Sequence, residues 1–168
     1  LVFEYYNVGS WASCARLATA QAEMTLDPEV AGNLYALAGT AWFQLDSFEL
    51  GTLAYKKALD QERSPTTLNN YAWDLATNER NLEFALQLTA ECNASVELEP
   101  AFLDTWAWVL YKMGRYAEAQ VKIELALQML EEADRAGTYI HAAKIEQALG
   151  NNEKATVYRM KEALLKQL

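Results

Sequence analysis

The sequence predicts an all-α fold, a solenoid of antiparallel helix pairs. Three observations predict it. Apolar residues follow the i, i+3, i+4, i+7 spacing of a helix face along most of the 168 residues, as in Leu103, Trp106, Ala107 and Leu110. Small residues recur at Cys14, Gly51, Ala85, Ala119 and Ala155, at intervals of 37, 34, 34 and 36, and again at Gly39, Ala72, Ala107 and Ala143. The three prolines, Pro28, Pro65 and Pro100, fall 37 and 35 residues apart. Such a period marks stacked units, none of which can bury its apolar face alone. The β-branched alternation of strands is absent.

Taken in order, the elements are a stub at 1–8, an unpaired helix at about 11–26, and four helix pairs. The pairs are 31–45 with 48–61, 66–78 with 81–98, 101–114 with a helix from Tyr116 to about Leu130, and 136–149 with 152–167. Gly114 stops its helix and the small residues let paired helices approach closely. The units are a partial repeat at 1–28, repeats at 31–65, 66–100 and 101–133, and a C-terminal capping repeat at 136–168.

The stretches "YALAGTAWFQLDSFELGTLAYKKALDQERSP" and "LDTWAWVLYKMGRYAEAQVKIELALQM" resemble tetratricopeptide repeats (TPR). Tyr35, Gly39, Trp42, Gly51, Tyr55, Ala58 and Pro65 meet the family pattern in one unit. Leu103, Trp106, Ala107, Leu110, Ala119, Ile123 and Ala126 meet it in another. The resemblance implies a right-handed superhelix whose first helices line a concave face that binds an extended peptide or a partner helix. Some relatives grip a C-terminal carboxylate with basic residues. The matching sites here hold Ala36, Thr40, Asn70, Ala101 and Thr105, so chaperone tails are not the expected ligand.

The net charge of −9 disfavours nucleic acid. Residues 1–100 hold 14 acids and 5 bases, whereas residues 101–168 hold 9 of each. A basic or neutral partner therefore suits the N-terminal part. No apolar run approaches the ~20 residues that span a bilayer, so direct membrane insertion is not expected. The opening "LVFEYYNVGS" lacks a basic region and a cleavage site. There is no CxxC, HExxH or histidine cluster, no nucleophile–base–acid set and no phosphate-binding glycine loop. No metal, cofactor or catalytic residue is expected, and the chain reads as a non-enzymatic module. Cys14 and Cys92 occupy small-residue slots and are expected to be buried and reduced. The sequon at 93–95 falls in a helical pattern and is expected to be a chance match.

Candidate site residues come from the helix faces opposite the core stripe. On 31–45 these are Asn33, Leu37, Thr40 and Phe43; on 66–78, Asn69, Asn70 and Trp73; on 101–114, Asp104, Trp108, Tyr111 and Lys112; on 136–149, His141 and Lys144. Phe43, Trp73, Trp108 and Tyr111 are expected to form an exposed aromatic row flanked by amides that can bond a peptide backbone. Trp106 is expected in the core and Trp108 in the groove, because residues two apart on a helix point in nearly opposite directions. The alternative is that Trp73 and Trp108 pack on each other or on an adjacent helix.

The ends differ. Glu146 and Glu162 replace apolar or small residues, as expected of a cap that no further repeat covers. Leu1, Val2, Phe3, Tyr5 and Tyr6 form an apolar start that expects a preceding helix. They could instead cap the core or form a homo-oligomer through the N-terminal edge. The functional expectation is a protein-interaction scaffold that takes a protein or peptide segment in its concave groove. The alternatives are a structural or oligomerisation module of a larger protein and a ligand-sensing regulatory domain.

Overall fold

A computed structural model describes residues 1–94 and 98–167. Among these it contains ten α-helices and no strand. They are α1 (Val2–Asn7), α2 (Trp11–Met24), α3 (Pro28–Phe43), α4 (Phe48–Gln61), α5 (Pro65–Thr77), α6 (Leu82–Ala94), α7 (Pro100–Lys112), α8 (Tyr116–Met129), α9 (Ala136–Ala148) and α10 (Asn152–Leu165). A 3₁₀ turn at Glu132–Asp134, which the periodicity did not signal, precedes α9.

The helix starts have local causes. Pro28, Pro65 and Pro100 each sit in the first turn of α3, α5 and α7, where a missing N–H costs nothing. Asp27 Oδ1 accepts from the backbone N–H groups of Glu29 and Val30, at 3.0 and 3.3 Å. This cap moves the start of α3 three residues before the expected position, and α2 ends two residues before its expected end to free the connection. Ser64 caps α5 through the Thr67 N–H at 3.2 Å. The expected helix at 81–98 is described as far as Ala94. Residues 95–97, including the serine of the sequon, lie outside the described residues.

Each turn within a pair needs a left-handed residue, supplied by Gly9, Asp46, Glu79, Gly114 and Gly150 at φ of 69°, 55°, 53°, 75° and 82°. Consecutive helices pack in pairs from α1–α2 to α9–α10. Close approach within α3–α4 rests on two glycines. A Cβ on Gly39 would lie 2.6 Å from the Tyr55 ring, and one on Gly51 would lie 2.5 Å from the Phe43 ring.

The odd-numbered helices from α3 to α9 also pack on one another in sequence, while the even-numbered ones pack chiefly on odd partners. The odd helices thus form a continuous inner layer, and the even helices an outer one. Three apolar clusters fill the interior: one around α1–α4, a central one from α2 to α7, and one from α7 to α9 flanked by α10. Cys14 and Cys92 are buried and form no disulfide. Burial pushes the Cys92 thiol up to about 11 and raises that of Cys14. Of the apolar start, Val2 is buried, Tyr5 and Tyr6 are half-buried, and Leu1 and Phe3 are exposed.

Candidate functional site

The residue after each recurring small position faces along the inner layer. In chain order these are Thr40, Trp73, Trp108 and Lys144, on α3, α5, α7 and α9. Because the odd helices stack in sequence, the last three converge. Trp108 stacks on Trp73 at 6.1 Å between ring centroids and on Tyr111 at 5.0 Å. The His141 ring lies 4.6 Å from Trp108 and 5.4 Å from Trp73. Two ammonium groups lie over the same indole, Lys112 at 5.2 Å and Lys144 at 4.9 Å, each attracted by the ring's negative face.

Carboxylates hold the rim in place. Asp104 Oδ1 bonds His141 Nδ1 at 2.7 Å, and Asp104 Oδ2 accepts from Thr138 Oγ1 at 3.2 Å. Lys112 pairs with Glu79 at 2.8 Å, across the gap from α7 to the α5–α6 turn. That hydrogen bond and charge hold the Glu79 carboxyl below its usual range. Lys144 has no ion pair among the described residues. Trp108 Nε1 is buried without an acceptor.

The N-terminal half of the same layer carries a different device. Tyr55 Oη donates to Asp74 Oδ2 at 2.6 Å and shares a 2.7 Å hydrogen bond with Thr40 Oγ1. Asp74 is 3% exposed, and burial raises its pKa to about 6 against the opposing hydrogen bonds. The three residues tie α3, α4 and α5 together.

Solved structures share this architecture. A structure of MamA from AMB-1 superposes with a TM-score of 0.70 at 14% identity, covering 99% of this chain and 95% of that one. Pseudomonas aeruginosa PilF gives 0.78 at 20% identity, covering 98% and 72%. BtubC from P. vanneervenii gives 0.76 at 19% identity, covering 99% and 77%. All three are TPR-repeat proteins. This chain has the tetratricopeptide-repeat fold. No family model and no curated protein matches the sequence.

Within the TPR array, the structure brings Trp73, Asp104, Trp108, Tyr111, Lys112, His141 and Lys144 into one cluster. Asn33 and Asn70 are exposed, and Leu37, Thr40 and Asn69 are half-buried. The sequence did not signal the participation of Thr138 and Glu79. It did carry one for the Tyr55 network, since Asp74 interrupts the apolar run "YAWDLA".

Three expectations are corrected. Phe43 is not in the groove: at 1% exposed, it is buried between Phe48, Tyr55 and Tyr71, at 5.7, 6.0 and 6.3 Å. The space that Gly51 leaves draws the ring into the core. The two tryptophans also exchange their expected exposures. Trp108 is 7% exposed because three rings close over it. Trp106 is only half-buried, with Lys122 3.6 Å over its face. The equivalent positions in the other repeats hold Ala38, Tyr71 and Ala142, all buried, whereas Trp106 packs only partly against the α7–α9 cluster.

Glu146 departs from the expected exposed cap as well. It is 0% exposed and accepts from Gln120 at 2.9 Å, Asn151 at 2.7 Å and Lys154 at 2.6 Å. These partners hold its pKa below the usual carboxylate range despite burial, and they complete the site internally. Among the described residues no group of His, Cys, Asp and Glu could hold a metal ion, and no helix is long and apolar enough to cross a membrane. A crevice of about 330 Å³ lies on the outer side, between α2 and α4, with Tyr35 and Trp42 among its lining residues. It is remote in the fold from the aromatic cluster.

Proposed function

We propose that this TPR array is a protein-interaction module whose concave face binds an extended protein segment through the Trp73–Trp108–Tyr111–His141 cluster. The observation that carries this reading is a contiguous cluster of rings from three successive repeats, Trp73 and Tyr111 stacked on Trp108 and His141 tilted against both indoles, with Trp73 and Tyr111 still partly open to solvent. A partner chain crossing the inner layer meets one ring system that spans three helices. Half-buried aromatics anchored on a rigid scaffold lose little entropy on binding and act as hot spots. Asn69 and Asn70 stand on the same helix as Trp73 and supply backbone-directed amides. The TPR proteins that share the fold support the general class, a scaffold for other proteins.

The test is selection of peptides from a random display library on the immobilised protein, followed by titration against variants. Trp73→Ala is expected to weaken the selected binders by about tenfold or more, on the order of 1.4 kcal/mol. Trp106→Ala, on the α7–α8 side, is expected to leave them unchanged. Equal losses from both substitutions would remove the cluster from the binding surface.

A further inference from the structure

We infer that the crevice between α4 and α6 is a second binding site and that its ligand is an aromatic carboxylate. The crevice shares no residue with the Trp73–Trp108 cluster, and the inference does not depend on the concave-face reading. Three observations lead to it.

The first is an extra residue. The step between the two recurring small residues of a repeat is 12 from Gly39 to Gly51, from Ala107 to Ala119 and from Ala143 to Ala155, but 13 from Ala72 to Ala85. The addition falls in the α5–α6 turn. Among the described residues, each other turn within a pair holds one left-handed residue. This one holds two, Glu79 at φ 53° and Asn81 at φ 38°, with Arg80 between them. Left-handed backbone is disfavoured for a residue with a Cβ, and it persists where the fold gains something by it. What this turn positions is the Arg80 guanidinium, 4.2 Å over the Phe48 ring at the start of α4. Glu79 ties the same turn to Lys112 of α7 at 2.8 Å, so Arg80 projects from an anchored base.

The second is the space beside it. The crevice has a volume of about 520 Å³. Phe43 and Tyr71 line it from the core, and the half-buried Phe48 and Phe84 line it nearer the surface. Phe43 lies 5.7 Å from Phe48, and Tyr71 meets Phe84 edge to face at 5.7 Å. Four rings from four consecutive helices thus bound one space. An aromatic ring placed there gains edge-to-face contacts that an alkyl chain does not.

The third is charge. No hydrogen bond or ion pair engages Arg80 or Lys56 among the described residues, and both line the crevice. Glu49 is the one carboxylate among the described lining residues, so cations outnumber it by two to one. This excess runs against its surroundings, since residues 1–100 hold 14 acids and 5 bases. A guanidinium stacked on a ring keeps its fork of N–H donors free at the edge, the arrangement that grips a carboxylate through two parallel hydrogen bonds. A bare anion would leave the rings uncovered, and an uncharged ring would leave the cations unpaired. A ring that bears a carboxylate satisfies both.

The test titrates the intact chain, ¹⁵N-labelled, with phenylacetate, phenylacetamide, acetate, and the peptide Ac-Gly-Gly-Phe with a free or an amidated C-terminus. The readouts are the Arg80 Nε–H resonance, assigned by its loss in Arg80→Gln, and the Phe84 backbone amide. Phenylacetate is expected to move both and to bind at least about tenfold more tightly than phenylacetamide or acetate. Arg80→Gln, followed at the Phe84 amide, should abolish the advantage of the acid over its amide, and Lys56→Gln should reduce it. Both side chains are exposed, so neither change disturbs the core. Arg16→Gln, at the α2–α4 crevice, and Trp73→Ala should leave the affinity unchanged.

The two peptides separate the sources of such a group. Tighter binding by the free-carboxylate peptide than by phenylacetate assigns the site to a chain terminus, and weaker binding assigns it to a free acid. Equal binding of phenylacetate and its amide would overturn the inference, as would acetate binding as tightly as phenylacetate, or an Arg80 resonance that no carboxylate moves. Loss of phenylacetate binding in Trp73→Ala would place the ligand at the concave cluster instead, and would overturn this inference without touching the concave-face reading.

Discussion

At Asp74, burial lifts the carboxyl pKa from 3.8 to about 6, and this sets a direction for stability against pH. The folded state holds the proton more tightly than the unfolded chain, so Asp74 is most favourable below pH 3.8. That advantage is lost as pH rises through about 6. A shift of this size corresponds to on the order of 3 kcal/mol between the two limits. Other carboxylates oppose the trend, because Glu79, Glu91, Glu118 and Glu146 have lowered values. The difference between wild type and Asp74→Asn isolates the contribution of this carboxyl group. In urea melts from pH 4 to 8, the asparagine variant is expected to gain on wild type as pH rises; a constant gap would place Asp74 in an unshifted environment. The tryptophans make a second prediction at this scale. Trp108→Ala is expected to cost about 3–5 kcal/mol, as for a buried aromatic, and Trp106→Ala about 1–2 kcal/mol. The sequence showed that the two indoles face apart, because that follows from helix geometry alone. Which one is covered depends on rings from α5 and α9, and no pattern within α7 carries that information.

The helix pair was the most legible element. Periodicity located α2 to α10, and the spacing of small residues identified where paired helices touch. Gly39 and Gly51 show why: their missing Cβ atoms make room for Tyr55 and Phe43. Gly51→Ala is expected to destabilise by about 1–3 kcal/mol, the usual cost of overpacking, despite alanine's better helix propensity. The turns make the opposite prediction. Asp46 holds φ at 55°, a conformation that Gly114 and Gly150 supply without strain in later repeats. Asp46→Gly is therefore expected to raise the melting temperature by a few degrees, equivalent to about 0.5–1 kcal/mol; no rise would show that the aspartate is not strained there. Less legible were the caps, which shifted boundaries by two or three residues, and the fate of Glu146. A lone glutamate in an apolar slot reads as solvent-facing until Gln120, Asn151 and Lys154 are seen to surround it.

At the scale of the whole molecule, each repeat contacts chiefly its neighbours, so the loss of an end unit should be local. A chain ending at residue 135 keeps α1–α8 but loses His141 and Lys144 from the Trp108 cluster. It is expected to retain helical circular dichroism per residue close to that of the full chain. Its tryptophan emission should shift to the red and become more open to acrylamide quenching. Global unfolding on truncation would mean that the three apolar clusters act as one.

The packing of the two layers also has a mechanical consequence. The inner helices press on one another, while the outer helices meet chiefly inner ones, so resistance to bending is concentrated along the inner layer. The array then resembles a strip hinged on its inner surface. Its curvature can change by opening or closing the gaps between the outer helices, while the inner surface keeps nearly constant length. The ring stack from α5 to α9 lies on that surface of least strain. The superhelix can therefore tighten or relax without pulling the stacked rings apart.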